Sequence, residues 1–449
     1  MHLLRVQVPD FRGLKDIDIT FEKDFFPKIF PLGSQNGGGK STLLQLIFVL
    51  LHCSVDEDKK NGLQNLLEGF KVYDGEERRV LAIINIWDGE KVVKIEFFAY
   101  KDSLFKNILT VLDITEQTIG ENNLSFYTLK EFNDLKDQIL ESDREENWLG
   151  ETNNELEDKK IIINEKFIKL AAICNKVIEY LESQEITYIC NYSSDRKSIS
   201  NRDGALFSHF NNIDSKQVKD FSRKLSQQIF LAAPSTQIFR FLSPNDRKLL
   251  FSNPRNRDRD KRGYNYYGIL ESARSQLQGL FTYDFLAVEL LIESFKDARD
   301  RDFKEAIKTG HYGNSYQTLI KELNLLLGNK RINLDEDFAG VNFKLDNNGE
   351  TIELYPEDLS HGELKRLSIY MWLKSRNIED AIVLMDEVEI AFHPDWQYQI
   401  ISDLKDWAPS NQYILATHSY ALCEALTPAH VKEIEPKLIK QESNITNES

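Results

Sequence analysis

An α/β fold of the phosphate-loop type is predicted for this chain, with a β-rich N-terminal part, a largely helical insert and a second α/β part near the C-terminus. Three observations predict it. The glycine-rich segment Gly33-Ser34-Gln35-Asn36-Gly37-Gly38-Gly39-Lys40-Ser41-Thr42 joins a short apolar run to an apolar helix. A second apolar run, residues 381–385, ends in the paired acids Asp386-Glu387. A third, residues 413–416, ends in Thr417-His418-Ser419. Buried strands that end in polar tips are the mark of a parallel sheet with a site at its carboxyl edge.

Taken in order, residues 28–32 form a strand despite Pro31, and residues 42–53 are apolar nearly all round, as in a buried helix. The glycines between them let backbone N–H groups turn inward around phosphate oxygens, and the helix N-terminus favours an anion. Lys40 is placed to reach the β- and γ-phosphates of ATP, and Ser41 to ligate Mg²⁺. The pattern G-x-x-x-x-G-K-[ST] puts its first glycine at position 34, where this chain has Ser34, with Gly33 one residue early.

Residues 80–100 alternate around Asp88-Gly89 and predict a β-hairpin. Residues 131–160 carry eleven acids against four bases, which predicts a solvated helical insert or mobile loop, or a surface for a basic partner. Helical patterns run over 159–185 and 267–296, and 265–330 are expected as a helical lobe. Between these, Phe230-Leu231-Ala232-Ala233-Pro234-Ser235-Thr236-Gln237 is an apolar run ending in a polar turn. Residues 240–262 hold eight bases, among them Arg255, Arg257, Arg259, Lys261 and Arg262, against three acids and interleaved with aromatics. Two readings stand for this stretch: a solvated loop with arginines paired to its aspartates, or a nucleic-acid contact.

Near the C-terminus, residues 341–345 and 351–354 alternate about Asn347-Asn348-Gly349 and predict a second hairpin. Leu359-Ser360-His361-Gly362-Glu363 then opens a helix that runs to about Lys374. Ser360 with Glu363 is a capping box, and Ser360 and Gly362 also offer a hydroxyl and bare N–H groups to a phosphate. Two carboxylates at the tip of a buried strand are costly unless they serve a cation or water. Asp386 suits Mg²⁺, Glu387 suits a general base, and His418 suits a hydrogen bond to the γ-phosphate.

Composition bounds the rest. The 449 residues suffice for two or three domain-sized units, expected at 1–120, 121–330 and 331–430 with a polar tail at 431–449. A net charge of −16 excludes non-specific attraction of nucleic acid to the whole surface, so DNA contact needs a local basic patch or a partner chain. The four cysteines are scattered without a CxxC, as in a reduced, cytoplasmic protein, and the longest apolar run, 43–51, is too short to span a membrane.

These motifs together resemble the ATP-binding-cassette ATPase family, in the soluble branch that includes the recombination-repair, chromosome-maintenance and overcoming-lysogenization-defect proteins. Walker A corresponds to residues 34–42, the signature to 359–363, Walker B to 383–387 and the switch histidine to His418. Phe11-Arg12-Gly13-Leu14 resembles the branch's first hairpin. The resemblance implies that Arg12, Asn36, Gly37, Gly38, Gly39, Lys40, Ser41 and Thr42 bind ATP, as do Ser360, Gly362 and Glu363. It further implies that Gln237, Ser41 and Asp386 hold Mg²⁺, and that Glu387, His418 and Gln237 serve hydrolysis; Gln237 also reads as an ordinary loop glutamine. It implies a head-to-tail dimer with two ATP molecules in the interface, or a larger assembly of such dimers. Between Walker A and the signature no heptads are sustained, which argues against a coiled-coil tether. Only 31 residues follow His418, which leads us to expect any nuclease on another polypeptide. Layout and size most resemble the ATPase subunits of Septu anti-phage defence systems, whose partner is an HNH-type nuclease that acts on DNA. A stand-alone repair ATPase and an ATP-dependent structural clamp are the alternatives.

Overall fold

The computed structural model describes residues 1–34, 37–100, 108, 176–194, 204–243, 246–247, 268, 275–283, 287–334, 340–347 and 350–434. The acidic stretch 131–160, Asn36, and the bases Arg255, Arg257, Arg259, Lys261 and Arg262 lie outside the described residues.

Six strands form a sheet in the order β2-β1-β4-β5-β7-β6, every neighbour antiparallel. These are β1 (His2–Phe11), β2 (Leu14–Thr20), β4 (Arg78–Trp87), β5 (Val92–Tyr100), β6 (Ile186–Tyr192) and β7 (Gly204–Asn211). The expected hairpin at 80–100 is β4 and β5.

A second six-stranded sheet is parallel throughout. It comprises β3 (Ile29–Gly33), β8 (Ile229–Ala233), β9 (Leu280–Thr282), β13 (Ile382–Asp386), β14 (Gln412–Ala416) and β15 (Lys432–Glu433), in the order β15-β3-β14-β13-β8-β9. A short meander, β10 (Lys330–Leu334), β11 (Val341–Asn347) and β12 (Glu350–Leu354), contains the predicted second hairpin.

Helices among the described residues include α1 (Lys40–His52), α2 (Glu57–Leu67), α3 (Ser215–Gln227), α4 (Ala287–Thr309), α5 (Ser315–Leu327), α6 (His361–Ser375), α7 (Pro394–Trp407) and α8 (Tyr420–Glu424). The parallel sheet separates two cores, as its period of two requires. Phe30, Leu32, Leu384 and Ile414 face one core, with α1 and the antiparallel sheet. Ile29, Val383, Met385, Tyr413 and Leu415 face the other, with α4, α6 and α7. Gln412 fastens the two sheets together: its buried amide accepts from the Leu3 N–H at 2.7 Å and donates to the Leu3 carbonyl at 2.9 Å.

Two expectations change. The helical pattern over 267–296 is interrupted by β9, where Leu280 and Phe281 pair alongside β8 and Phe281 stacks on Trp372 at 4.8 Å. Edge pairing with a buried strand outweighs the helical period there. Residues 121–330 are also not a helical lobe alone. Strands β6 and β7 complete the N-terminal sheet through β5, and β8 and β9 complete the C-terminal one.

Candidate active site

Strands β3, β8, β13 and β14 run parallel and in step, with Asp386 opposite Ala416 and Ala416 opposite Leu32. Their carboxyl ends therefore deliver the phosphate loop, the turn with Gln237, the Asp386-Glu387 pair and the Thr417-His418 segment to one edge. Within the loop Gly37 and Gly39 have φ of 81° and 87°. At Gly39 the positive φ disfavours a side chain, and a Cβ would stand 2.5 Å from Leu14 Cδ2, which would have to shift.

Lys40 opens α1 and is buried, with its ammonium turned back into the loop. Its Nζ donates to the Ser34 carbonyl at 3.1 Å and the Ser34 hydroxyl at 3.0 Å, and lies 3.4 Å from His418 Nδ1. Serine in place of the first glycine thus supplies the lysine with a partner. Burial lowers the Lys40 ammonium from its ordinary value, against the opposing pull of Glu389, Asp386 and Glu387.

One residue on, the Ser41 hydroxyl donates to Asp386 Oδ1 at 2.9 Å. Burial pushes the Asp386 carboxyl up to about 7, opposed by the Ser41 hydrogen bond and reinforced by the charges of Glu387 and Glu389. One turn along the same face of α1, Gln45 Nε2 donates to Gln237 Oε1. Hydroxyl, carboxylate and amide oxygen are the donors a hard divalent cation takes. The residues present therefore fit Mg²⁺. Arg240 joins the same helix, donating to Thr42 Oγ1 at 3.1 Å.

Glu387 follows with a left-handed backbone, φ 52°, its N–H held by the Ala416 carbonyl at 2.9 Å. A left-handed glutamate needs support from its surroundings. Part of that support is Lys365, a buried residue of α6. Its ammonium donates to the Glu387 carbonyl at 2.8 Å and the Ile390 carbonyl at 3.1 Å, and lies 4.0 Å from the Tyr283 ring centroid. Sequence reasoning missed Lys365, because nothing in its spacing signals that it reaches across to another strand tip.

Ser360 is exposed and caps α6: its hydroxyl accepts from the Glu363 N–H at 3.2 Å, and Glu363 Oε2 accepts from the Ser360 N–H at 2.9 Å. Burial opposes ionisation of Glu363, but a 2.5 Å bond from Lys330 and those from Ser360 hold its carboxyl below the usual range. The side chain of Glu363 thus braces the helix end. A Cβ on Gly362 would meet the Ala391 carbonyl at 2.7 Å, so this helix packs directly on the turn after Glu387. Arg12 is bonded to the Glu68 carbonyl at 3.3 Å, and Arg247 to the Glu68 carboxylate at 2.6 Å. Among the expected residues, then, Lys40, Ser41, Gln237, Asp386, Glu387 and His418 gather at the sheet edge, while Ser360, Gly362 and Glu363 form the start of α6.

The profile of the AAA ATPase domain family matches residues 1–422. A retron Vc95 probable ATPase from Vibrio cholerae serotype O1 biovar El Tor is 30% identical over 113 residues, and the match spans 22% of this chain and 22% of that protein. Solved structures similar to the chain include a Smc head domain from Pyrococcus furiosus bound to the C-terminal domain of ScpA. It is 12% identical, with a TM-score of 0.32 over 94% of this chain and 91% of that one. The SMC head domain from Thermotoga maritima is 9% identical, with a TM-score of 0.38 over 95% and 92%.

Proposed function

The chain belongs to the AAA ATPase domain family, and from that premise we propose that it is the Mg²⁺-dependent, ATP-hydrolysing subunit of an anti-phage defence complex. The observation that carries the enzymatic part is the meeting of Lys40 with His418 and of Ser41 with Asp386 at one sheet edge. Mg²⁺ would be held by Ser41, Asp386 and Gln237, and would supply charge neutralisation between phosphate oxygens. Glu387 orients and deprotonates the attacking water, and His418 donates to the γ-phosphate. Two features support an assembly: the exposed Ser360, and a single phosphate loop and a single signature per chain. Two copies place the α6 N-terminus of each against the nucleotide of the other.

The defence role is supported by the likeness to a retron ATPase and by the Septu-like layout. We assign DNA cleavage to a separate HNH-type nuclease, and DNA contact to the complex through Arg255, Arg257, Arg259, Lys261 and Arg262. The test measures ATP turnover, ATP binding and co-purification of a neighbouring HNH protein for wild type, Lys40→Ala and Ser360→Arg. Expected are a loss of binding and turnover in Lys40→Ala, and a loss of turnover with binding retained in Ser360→Arg. Normal turnover in a Ser360→Arg monomer would exclude the shared site, and absence of the HNH protein would exclude the defence assignment.

A further inference from the structure

Glu389 is three residues beyond Asp386, 7% exposed, and absent from the phosphate-loop pattern. Its Oε1 accepts from the main-chain N–H of His418 at 2.7 Å. Its Oε2 is buried with no hydrogen-bond partner among the described residues. Buried carboxylate oxygens are normally satisfied, and the exceptions call for a reason. The place of this one supplies it. His418 is gripped from both sides, its main chain by Glu389 and its ring by Lys40 Nζ at 3.4 Å. Lys40 is the group expected to meet the β- and γ-phosphates.

We infer that Glu389 is a positioning residue that senses the terminal phosphate of ATP, with one oxygen tying down the His418 main chain and the other opposing the charge that the third phosphate brings to Lys40. This deepens the ATP reading above and rests on it. A buried carboxylate with one oxygen lacking a hydrogen-bond partner among the described residues repels an incoming phosphate. ADP leaves the Glu389–His418 tie in place. ATP binds at the cost of loosening it, which frees the segment that leads into α8. Nucleotide state is thereby converted into movement of one strand tip, without any residue of the magnesium set changing place. Glu389 also stands first among the anionic groups that act on Lys40, ahead of Asp386 and Glu387.

Glu389→Gln tests this, because glutamine keeps an oxygen for the His418 N–H and removes the charge. Binding of ADP and of a non-hydrolysable ATP analogue is measured on the full chain, with hydrogen exchange of the 417–419 amides. The expected result is a preference for the ATP analogue over ADP raised by about tenfold, with the His418 amide still protected in the ADP complex. Glu389→Ala should show the same gain in preference and lose that protection. An equal change for both nucleotides, or none, overturns the inference while the ATP reading stands. If wild type binds neither nucleotide, both are overturned.

Discussion

Lys365 shows how one side chain joins two functional segments. Its ammonium bonds two carbonyls, those of Glu387 and Ile390, so it holds the backbone of the residue we propose as general base. Charge-assisted hydrogen bonds of this kind contribute about 1.5–3 kcal/mol each. Lys365→Met should therefore lower kcat by roughly tenfold or more with KM for ATP nearly unchanged, and Lys365→Arg should recover part of it. Steady-state kinetics read the split, and a rise in KM with kcat intact would show that Lys365 serves binding instead. At this scale the placing of Lys40, Ser41, Asp386 and His418 at one sheet edge was legible, because each stands at a fixed offset from a glycine loop or an apolar run. Lys365 was not, and Glu389, though it falls in the stretch that resembles Walker B and the D-loop, had no role assigned. A lysine in a helix and a glutamate after Walker B acquire meaning only from what they touch.

The element that positions the site is α1, and its C-terminal end carries a pH-sensitive joint. The His52 ring is buried, stacks on Phe48 and bonds the Ser226 carbonyl at 2.7 Å through Nδ1, while Nε2 accepts from the Gly279 N–H at 3.3 Å. That arrangement requires the neutral ring, and burial lowers its pKa from 6.5 to about 4, with Lys59 adding to the shift. The unfolded chain then binds more protons between these values. The contribution is complete above pH 6.5, declines as pH falls, and is lost below about 4. It amounts to about 3 kcal/mol. Urea unfolding at pH 7 and pH 4.5 should show a smaller acid loss in His52→Gln than in wild type, and equal losses would remove His52 as the cause. Elements with one strong period, α1 and the β4–β5 and β11–β12 hairpins, were readable in advance. Strand β9 was not, since three residues inside a helical pattern become a strand only when β8 offers an edge.

Across the whole molecule, stability depends on how the antiparallel and parallel sheets are joined. Gln412 makes that junction with both ends of its amide, and the register shift between Leu3 and Arg5 in β1 marks the same point. Gln412→Leu leaves the Leu3 N–H and carbonyl without these bonds. It should cost about 2–5 kcal/mol, read by denaturant unfolding, with ATP affinity per folded molecule unchanged. A neutral effect would mean that packing between the sheets, not this bond pair, holds them. Among the described residues no helix is long and apolar enough to cross a membrane.

Residue order alone was enough to place the phosphate loop, the acidic strand tip and the strand-end histidine on an α/β sheet, because each is a local pattern set by neighbours in the chain. Packing was needed to show that residues from opposite ends meet as Lys40 with His418 and Ser41 with Asp386, and that Ser34 serves the lysine. It was needed too for the assignment of β6 to β9 to two different sheets. Those are contacts between distant segments, and pairing partners, unlike periodicity, are not written in any one stretch of sequence.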